Sequence, residues 1–310
     1  MEITFLGTGA GVPSKNRNVT AIMLKLLDER NEMWLFDCGE GTQHQILQTT
    51  LKPRKVTKIF ITHLHGDHIY GLPGFLSSRA HQGGDDKLTL YGPKGLRQFV
   101  TTSLKVSQSK LGYPLEIIEL TEDQGVAFAD QQFKVTYQVL KHGIRSYGYR
   151  IEEADQAGQL MVDKAMAAGV PNGPLLGQLK AGKTITLADG QVLHGADFVG
   201  PDKAGRKVTI LGDTRYCQGA IDLAQGVDML VHEATFAAAD SKQAHDYFHS
   251  SADQAGRVAK QAGAKQLILT HISARYVGKL SQQLIRDARQ EFSNTYLAND
   301  FDSFTIGQVD

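Results

Sequence analysis

Cysteine is almost missing from this chain. Two residues in 310, Cys38 and Cys217, cannot build a disulfide framework. A reducing compartment, the cytoplasm, is the expected location. Both cysteines sit in strand-and-turn contexts, where packing as small apolar side chains is expected ahead of ligation. Long apolar runs are missing too. None approaches the roughly 20 residues that a membrane span needs. The chain opens directly on strand-like residues, Met1-Glu2-Ile3-Thr4-Phe5-Leu6, with no basic region or cleavage site, which argues against a signal peptide. Excess charge of one sign is also lacking, with 33 Lys and Arg against 33 Asp and Glu. That excludes a protein coated in positive charge. It leaves a nucleic-acid substrate open, because a balanced chain can still gather bases on one face. No repeat of fixed period and no low-complexity tract occurs. At 41% hydrophobic and 21% charged residues, the composition is that of a soluble globular protein, long enough for one large α/β domain or two smaller ones.

Histidine, by contrast, is concentrated. His63, Leu64, His65, Gly66, Asp67 and His68 follow the apolar run Ile59-Phe60-Ile61-Thr62. Three imidazoles and a carboxylate in six positions are metal-ligand chemistry, since these donors suit a zinc-like ion. Burying so many polar groups without a partner would be costly. In extended geometry His63 and His65 point the same way. A turn at Gly66 then brings Asp67 and His68 around a second point, so one turn could serve two ions.

The first 150 residues read as strands alternating with short helices. Strands are expected over Glu2–Gly7, Val19–Leu27, Met33–Phe36, Lys58–Thr62, Leu88–Tyr91, Leu115–Leu120, Gln132–Leu140 and Ser146–Ile151. Helices are expected over Gly41–Thr50, Gly71–Gln82 and Lys94–Ser107. After residue 205 come strands Lys207–Leu211, Asp228–Glu233, Gln266–Thr270 and Phe301–Ile306, with helices Ala252–Ala262 and Ser281–Phe292. Between the halves, Glu152–Lys203 is punctuated by Gly and Pro, and its few apolar residues suggest no core. A long stretch of this kind inside a compact domain is uncommon unless functional or disordered, so an inserted functional arm is expected.

Three further strand-like runs end in a polar ligand: at His142, Asp213 and His271. Strand ends on one rim are where α/β proteins place function. The natural partition puts His63, His65 and His142 on one ion, and Asp67, His68 and His271 on another. Asp213 would bridge them through its two oxygens. His232-Glu233-Ala234-Thr235 ends another strand, and His249-Ser250-Ser251 precedes a helix. These offer proton-transfer groups, or, more plainly, an ion pair and a helix cap. The turn Asp37-Cys38-Gly39-Glu40-Gly41-Thr42 is expected to support the site without binding metal. His44, His81, His194 and His245 have no such context and are expected at the surface or in packing.

The pattern H-x-H-x-D-H, followed by His, Asp and His at strand ends, resembles the metallo-β-lactamase superfamily. That resemblance implies an α/β fold, a four-layer αβ/βα sandwich with metals between the edges of two sheets. The superfamily covers several reactions, and finer marks narrow it. Phe5-Leu6-Gly7-Thr8-Gly9 opens the chain as in the phosphodiesterase branch, and Asp213 replaces the cysteine of typical β-lactamases. Pro13-Ser14-Lys15-Asn16-Arg17-Asn18 matches the P-x-K-x-R-N loop of the ribonuclease Z family, the tRNA 3′-processing endonucleases. His232-Glu233-Ala234-Thr235 matches its HEAT motif. His249-Ser250-Ser251 is similar to its HST loop with Ser for Thr, and Ser273-Ala274-Arg275 to its A-x-R with Ser for the first Ala. The insertion with Gly173-Pro174 and Leu179-Lys180-Ala181-Gly182 resembles the flexible arm of the short form.

The resemblance covers essentially the whole chain. It implies a single metallo-β-lactamase domain over 1–310 with residues 152–203 as a protruding tRNA-binding exosite. It implies two zinc ions per subunit, with manganese or cobalt as substitutes, held by His63, His65, Asp67, His68, His142, Asp213 and His271. It implies hydrolysis of precursor tRNA at the 3′ trailer by a cytoplasmic homodimer, leaving a 3′-hydroxyl on the tRNA. Asp67 resembles the proton acceptor, and His249, oriented by Glu233, the proton donor. Lys15, Arg17 and Arg275 are candidate RNA contacts near the cut, and Lys180 and Lys183, with Lys164, on the arm. Lys52, Arg54, Lys55 and Lys58 form a further basic cluster. The alternatives are a metal-dependent phosphodiesterase or arylsulfatase-like hydrolase of small substrates, and a metal-bound RNA-binding protein that no longer cuts.

Overall fold

The computed structural model describes residues 1–156 and 158–307. Of the domain expected over 1–310, residues 157 and 308–310 lie outside the described residues. The chain divides into two compact units, Met1–Glu152 with Arg206–Asp310, and Glu153–Gly205.

In the larger unit two seven-stranded sheets alternate their side chains between two cores. The first sheet runs Ser303–Thr305, Glu2–Gly7, Ala21–Leu26, Glu32–Phe36, Val56–Phe60, Leu88–Pro93, Leu115–Leu120. The second runs Thr295–Leu297, Leu267–Thr270, Met229–Glu233, Lys207–Leu211, Ser146–Glu153, Phe133–Leu140, Gln124–Ala129. Phe5, Trp34, Phe36 and Phe60 of the first sheet share one buried cluster with Tyr149, Val208, Ile210, Val231 and Ile268 of the second. Their neighbours in sequence point the other way. Leu6, Leu35, Ile59 and Ile61 pack on Leu72, Phe75, Leu96 and Val100 of the helices Leu72–His81 and Leu96–Val106. Leu211, Leu230 and Leu269 pack on Ala255, Val258 and Leu284 of the helices Ala252–Ala262 and Lys279–Glu291. The period-two alternation of strands thus produces four layers, helix, sheet, sheet, helix.

The central strands of each sheet are parallel, which brings their C-terminal ends to one rim. The aromatic stack Phe36, Phe60 and Tyr91, with ring centroids 5.0 and 4.9 Å apart, braces that rim from within. Tyr149 packs on Phe60 and donates its hydroxyl to Ile61 O at 2.6 Å, tying the second sheet to the strand end that leads into His63. At Gly212, just before Asp213, a methyl group would lie 2.6 Å from Thr62 Cβ and 2.7 Å from Ser146 Oγ. Only glycine permits that crossing of three strand ends.

The structure differs from the sequence reading in particular places. The strand Gln124–Ala129 was not expected, because Gly and two Ala dilute its β propensity. The short helix Gly66–Ile69 places Asp67 and His68 within one turn instead of in a bare turn. The smaller unit corrects a second expectation, that its apolar residues form no core. Ala165, Val170, Leu179, Ile185, Leu193 and Phe198 are buried together. They come from the helices Val162–Ala167 and Pro174–Lys180, the hairpin Thr184–Thr186 with Val192–His194, and the loops between. Each element contributes one or two residues, too few to leave a periodic signature. The unit spans Glu153–Gly205, shifted by one and two residues from the expected segment. Among the described residues no helix is long and apolar enough to cross a membrane.

Candidate metal centre

Loops from both sheets bring seven donors together at the rim. Strand Val56–Phe60 leads to His63, His65, Asp67 and His68; Phe133–Leu140 to His142; Lys207–Leu211 to Asp213; Leu267–Thr270 to His271. Their donor atoms form two groups, His63, His65, His142 and Asp213, and Asp67, His68, Asp213 and His271. The ligand atoms of a tetrahedral cation held at about 2.1 Å lie roughly 3.4 Å apart. In the first group His65 Nδ1 is 3.1 Å from His63 Nε2 and 3.2 Å from His142 Nε2, and Asp213 Oδ2 is 3.6 Å from His63 Nε2. In the second, His271 Nε2 is 3.3 Å from His68 Nε2, Asp67 Oδ2 and Asp213 Oδ2. Asp213 therefore faces both groups with the same oxygen, Oδ2, where the sequence reading gave each group one of its two oxygens.

The outer partners fix which ring nitrogens face inward. His68 Nδ1 donates to Asp37 Oδ2 at 2.7 Å, and His142 Nδ1 to Phe248 O at 2.9 Å. Thr235 Oγ1 donates to Glu233 Oε2 at 2.6 Å, so it accepts from His271 Nδ1 at 3.0 Å. Each Nε2 then turns a lone pair inward. The lone pairs of His68 and His271 meet at 3.3 Å, which is repulsive unless a cation or a proton lies between them. The donor set fits a divalent cation on these grounds.

Electrostatics agree. Burial, then His68, push the His63 imidazole well below its ordinary value, so it is neutral and ready to ligate. Burial opposes charge on His68 too, but Asp213 and Asp37 outweigh it and raise its imidazole well above its ordinary value. Burial likewise works against the Asp213 carboxylate, yet His271, His68 and His63 drive it well below the usual range. Three carboxylates, Asp37, Asp67 and Asp213, within 3.5 Å of the His68 ring nitrogens make the centre of the site attractive to positive charge.

Strain gathers in the same place. Of six non-glycine residues with positive φ among the described residues, Asp37, Phe248 and His271 belong to this site. Phe248 in the left-handed region aims its carbonyl at His142 Nδ1, and Asp37 accepts from Thr62 N–H at 2.7 Å and Thr62 Oγ1 at 2.8 Å. The Asp37 turn thus touches the site through the His68 hydrogen bond. Gly11 N–H donates to Asp67 Oδ2 at 2.8 Å, a contact from the opening Gly9-Ala10-Gly11 loop that the sequence reading missed.

Beside the donors, His249 Nδ1 donates to Glu233 Oε1 at 2.8 Å, and Glu233 also accepts Thr214 N–H at 2.9 Å. Burial lowers the His249 imidazole, but Glu233 outweighs it and pushes it up to about 9. His232 turns away, with Nδ1 on Glu233 O at 2.7 Å, so it does not form the ion pair that was one of its sequence readings. Ser250 and Ser251 are structural, Ser251 in the capping box of helix Ala252–Ala262. A cavity of about 320 Å³ opens on this face, lined in part by His65, Asp67, Asp213, His249, His271 and Arg275.

The expected RNA contacts divide. Lys15, Lys180, Lys183 and Arg275 are exposed. Arg17 is only partly exposed, and its guanidinium donates to Thr8 Oγ1, Ala298 O and Asn299 Oδ1. Asp300 accepts from Thr8, Asn18 and Gln45 around it. Arg17 thus anchors its loop to the segment at Ala298 and Asn299, and Lys15 beside it is exposed. Lys164 donates to Asp197 O, and Lys58 pairs with Glu32 at 3.5 Å over the Phe128 ring. His44, His81, His194 and His245 are exposed, Cys38 is buried, and Cys217 is half-buried.

Fold and rim together define a metallo-β-lactamase-type sandwich. Residues 1–161 match the family model described as Anti-Pycsar protein Apyc1, and residues 197–272 that described as Beta-lactamase superfamily domain. Full-length likeness discriminates further. The chain is 60% identical to a ribonuclease Z of Limosilactobacillus fermentum over 99% of its length and 98% of that protein. It is 58% identical to the ribonuclease Z of Bacillus mycoides, covering 99% of each. Its fold superimposes on the crystal structure of human tRNase Z, short form, with a TM-score of 0.72, at 31% identity, over 99% of this chain and 100% of that one. The chain belongs to the ribonuclease Z family.

Because one oxygen of Asp213 faces both donor groups, Asp213→Ala is expected to remove tightly held divalent metal from both. Elemental analysis of dialysed protein checks this, and retention of half the wild-type metal would contradict it.

Proposed function

We infer that this chain is a metal-dependent endoribonuclease that removes the 3′ trailer from precursor tRNA and leaves a 3′-hydroxyl on the tRNA. The observation that carries the chemistry is the Glu233–His249 pair standing beside two donor groups that share Asp213. Five histidines among seven donors favour zinc, two ions per subunit, with manganese or cobalt as substitutes. Bound there, divalent cations would neutralise charge on the attacked phosphate and lower the pKa of a water.

The remaining steps belong to the chain. Asp67, oriented by the Gly11 N–H, takes the proton that the attacking water gives up. His249 carries the opposite proton. Glu233 holds its Nδ1–H, leaving the other ring nitrogen for the cavity it lines. As the new P–O bond forms and the P–O3′ bond breaks, His249 protonates the departing 3′-oxygen. The tRNA keeps a hydroxyl and the trailer keeps the phosphate. A homodimer in the cytoplasm completes this reading.

The small-substrate alternative shares the donors but has no use for the unit Glu153–Gly205. We read that unit as the exosite. Lys180 and Lys183 supply charge for tRNA phosphates, since folded RNA is held largely through its backbone. Leu179, next to Lys180, belongs to the buried cluster of that unit.

Chelated protein should leave a precursor tRNA lacking encoded CCA intact, and metal add-back should restore one cut at the tRNA 3′ end. His249→Ala should lower kcat about 10²- to 10⁴-fold with metal content retained, the scale of a lost general acid. A mapped cut elsewhere, or full activity in that variant, would count against the mechanism.

Lys180→Glu with Lys183→Glu, and deletion of residues 173–183, should cripple precursor-tRNA cleavage while sparing bis(p-nitrophenyl) phosphate. Equal loss on both substrates would rule out an exosite.

A further inference from the structure

An exposed aromatic ring stands beside the proton donor with no structural duty of its own. Tyr247 is 63% exposed, although it lines the cavity. Its ring lies nearly parallel to that of Phe236, 18° between planes with centroids 6.4 Å apart. Phe236 is 5% exposed, and its centroid is 6.2 Å from that of His249. Arg275 extends the same surface, its guanidinium 5.2 Å from the Phe236 centroid and hydrogen-bonded to Gln243 Oε1 at 2.7 Å. Tyr247 ends the helix Ser241–Asp246, where Tyr247 N–H donates to Gln243 O at 3.1 Å. The ring is therefore held from both its backbone and its inner face, while its outer surface stays open to solvent. A ring held in this way at the wall of the cavity that His249 lines is available to stack on a flat group of the substrate.

The reaction says which group that is. His249 gives its proton to the departing 3′-oxygen, and Tyr247 precedes His249 by two residues. Tyr247 and His249 line the same cavity, with Phe236 between their rings, so the nucleotide bearing that oxygen, the last one kept by the tRNA, comes within reach of the Tyr247 ring. Its base is one ribose away from the oxygen. At this end of the molecule the RNA is single-stranded, so the base is free to stack.

We propose that Tyr247, backed by Phe236 and flanked by Arg275, is the stacking surface for the nucleobase on the 5′ side of the cut. The proposal rests on the reading of function above. Stacking engages the π-face that every base has, so this subsite holds the nucleotide in line without selecting its identity. It is a substrate-positioning surface and takes no part in proton transfer.

The test is a cycle of two changes, one in the protein and one in the RNA. Tyr247→Ala should lower kcat/KM on precursor tRNA roughly 10- to 100-fold, the scale of one lost base–aromatic stack. Tyr247→Trp should keep wild-type efficiency to within about threefold, which shows that the ring is what matters. On a precursor tRNA with an abasic nucleotide 5′ to the cut, the penalty of Tyr247→Ala should shrink to less than about twofold. Equal penalties on normal and abasic RNA would overturn the stacking role, as would full efficiency of Tyr247→Ala on normal RNA. Failure of the wild-type chain to cut precursor tRNA at all would instead sink the reading of function, and this proposal with it.

Discussion

One carboxylate oxygen sets the terms for the rest of the molecule. Asp213 Oδ2 lies within 4.0 Å of ring nitrogens from both donor groups. Nothing on one strand could supply that arrangement. It requires strand ends from two sheets to meet edge to edge, which the shared core of Phe36, Phe60 and Tyr149 enforces. It also requires Gly212, since a side chain there would collide with Thr62 and Ser146 and displace the strand end that carries Asp213. The four-layer architecture is thus the means of holding one oxygen between two sets of imidazoles.

A cluster of buried imidazoles is unstable by itself. Rings at His63, His68 and His142 repel each other when charged and lose solvation when buried. The surrounding layer answers this by giving most rings a fixed acceptor at Nδ1: Asp37, Phe248 O or Thr235. The left-handed backbone at Asp37, Phe248 and His271 is the local cost of that aim. Glu233 joins the two parts of the site. One of its oxygens receives Thr235, which orients His271, and the other receives His249. Disturbing Glu233 should therefore affect both donor geometry and the orientation of His249.

The donors were legible in the sequence because each is a His or Asp at the end of an apolar run, and period two makes strand ends recognisable. The two-group partition followed from the turn at Gly66. What the sequence hid was second-order geometry. Asp213 uses one oxygen for both groups, a choice that depends on how two sheets face each other. Arg17 sits in a loop that reads as a phosphate grip, and its hydrogen bonds to Ala298 and Asn299, distant in sequence, could not be read from that loop. The core of the unit Glu153–Gly205 escaped notice because its members lie one per element. Tyr247 had no motif to mark it. Only its exposure next to His249 does so.

Anomalous scattering from crystals of the zinc-loaded protein tests the central claim most directly. The account predicts two peaks, each about 2.1 Å from its ring nitrogens, one among His63, His65 and His142 and one between His68 and His271. Asp213 Oδ2 should lie next to both. A single peak, or two peaks with Asp213 bound to only one, would contradict the shared-oxygen arrangement on which the mechanism is built.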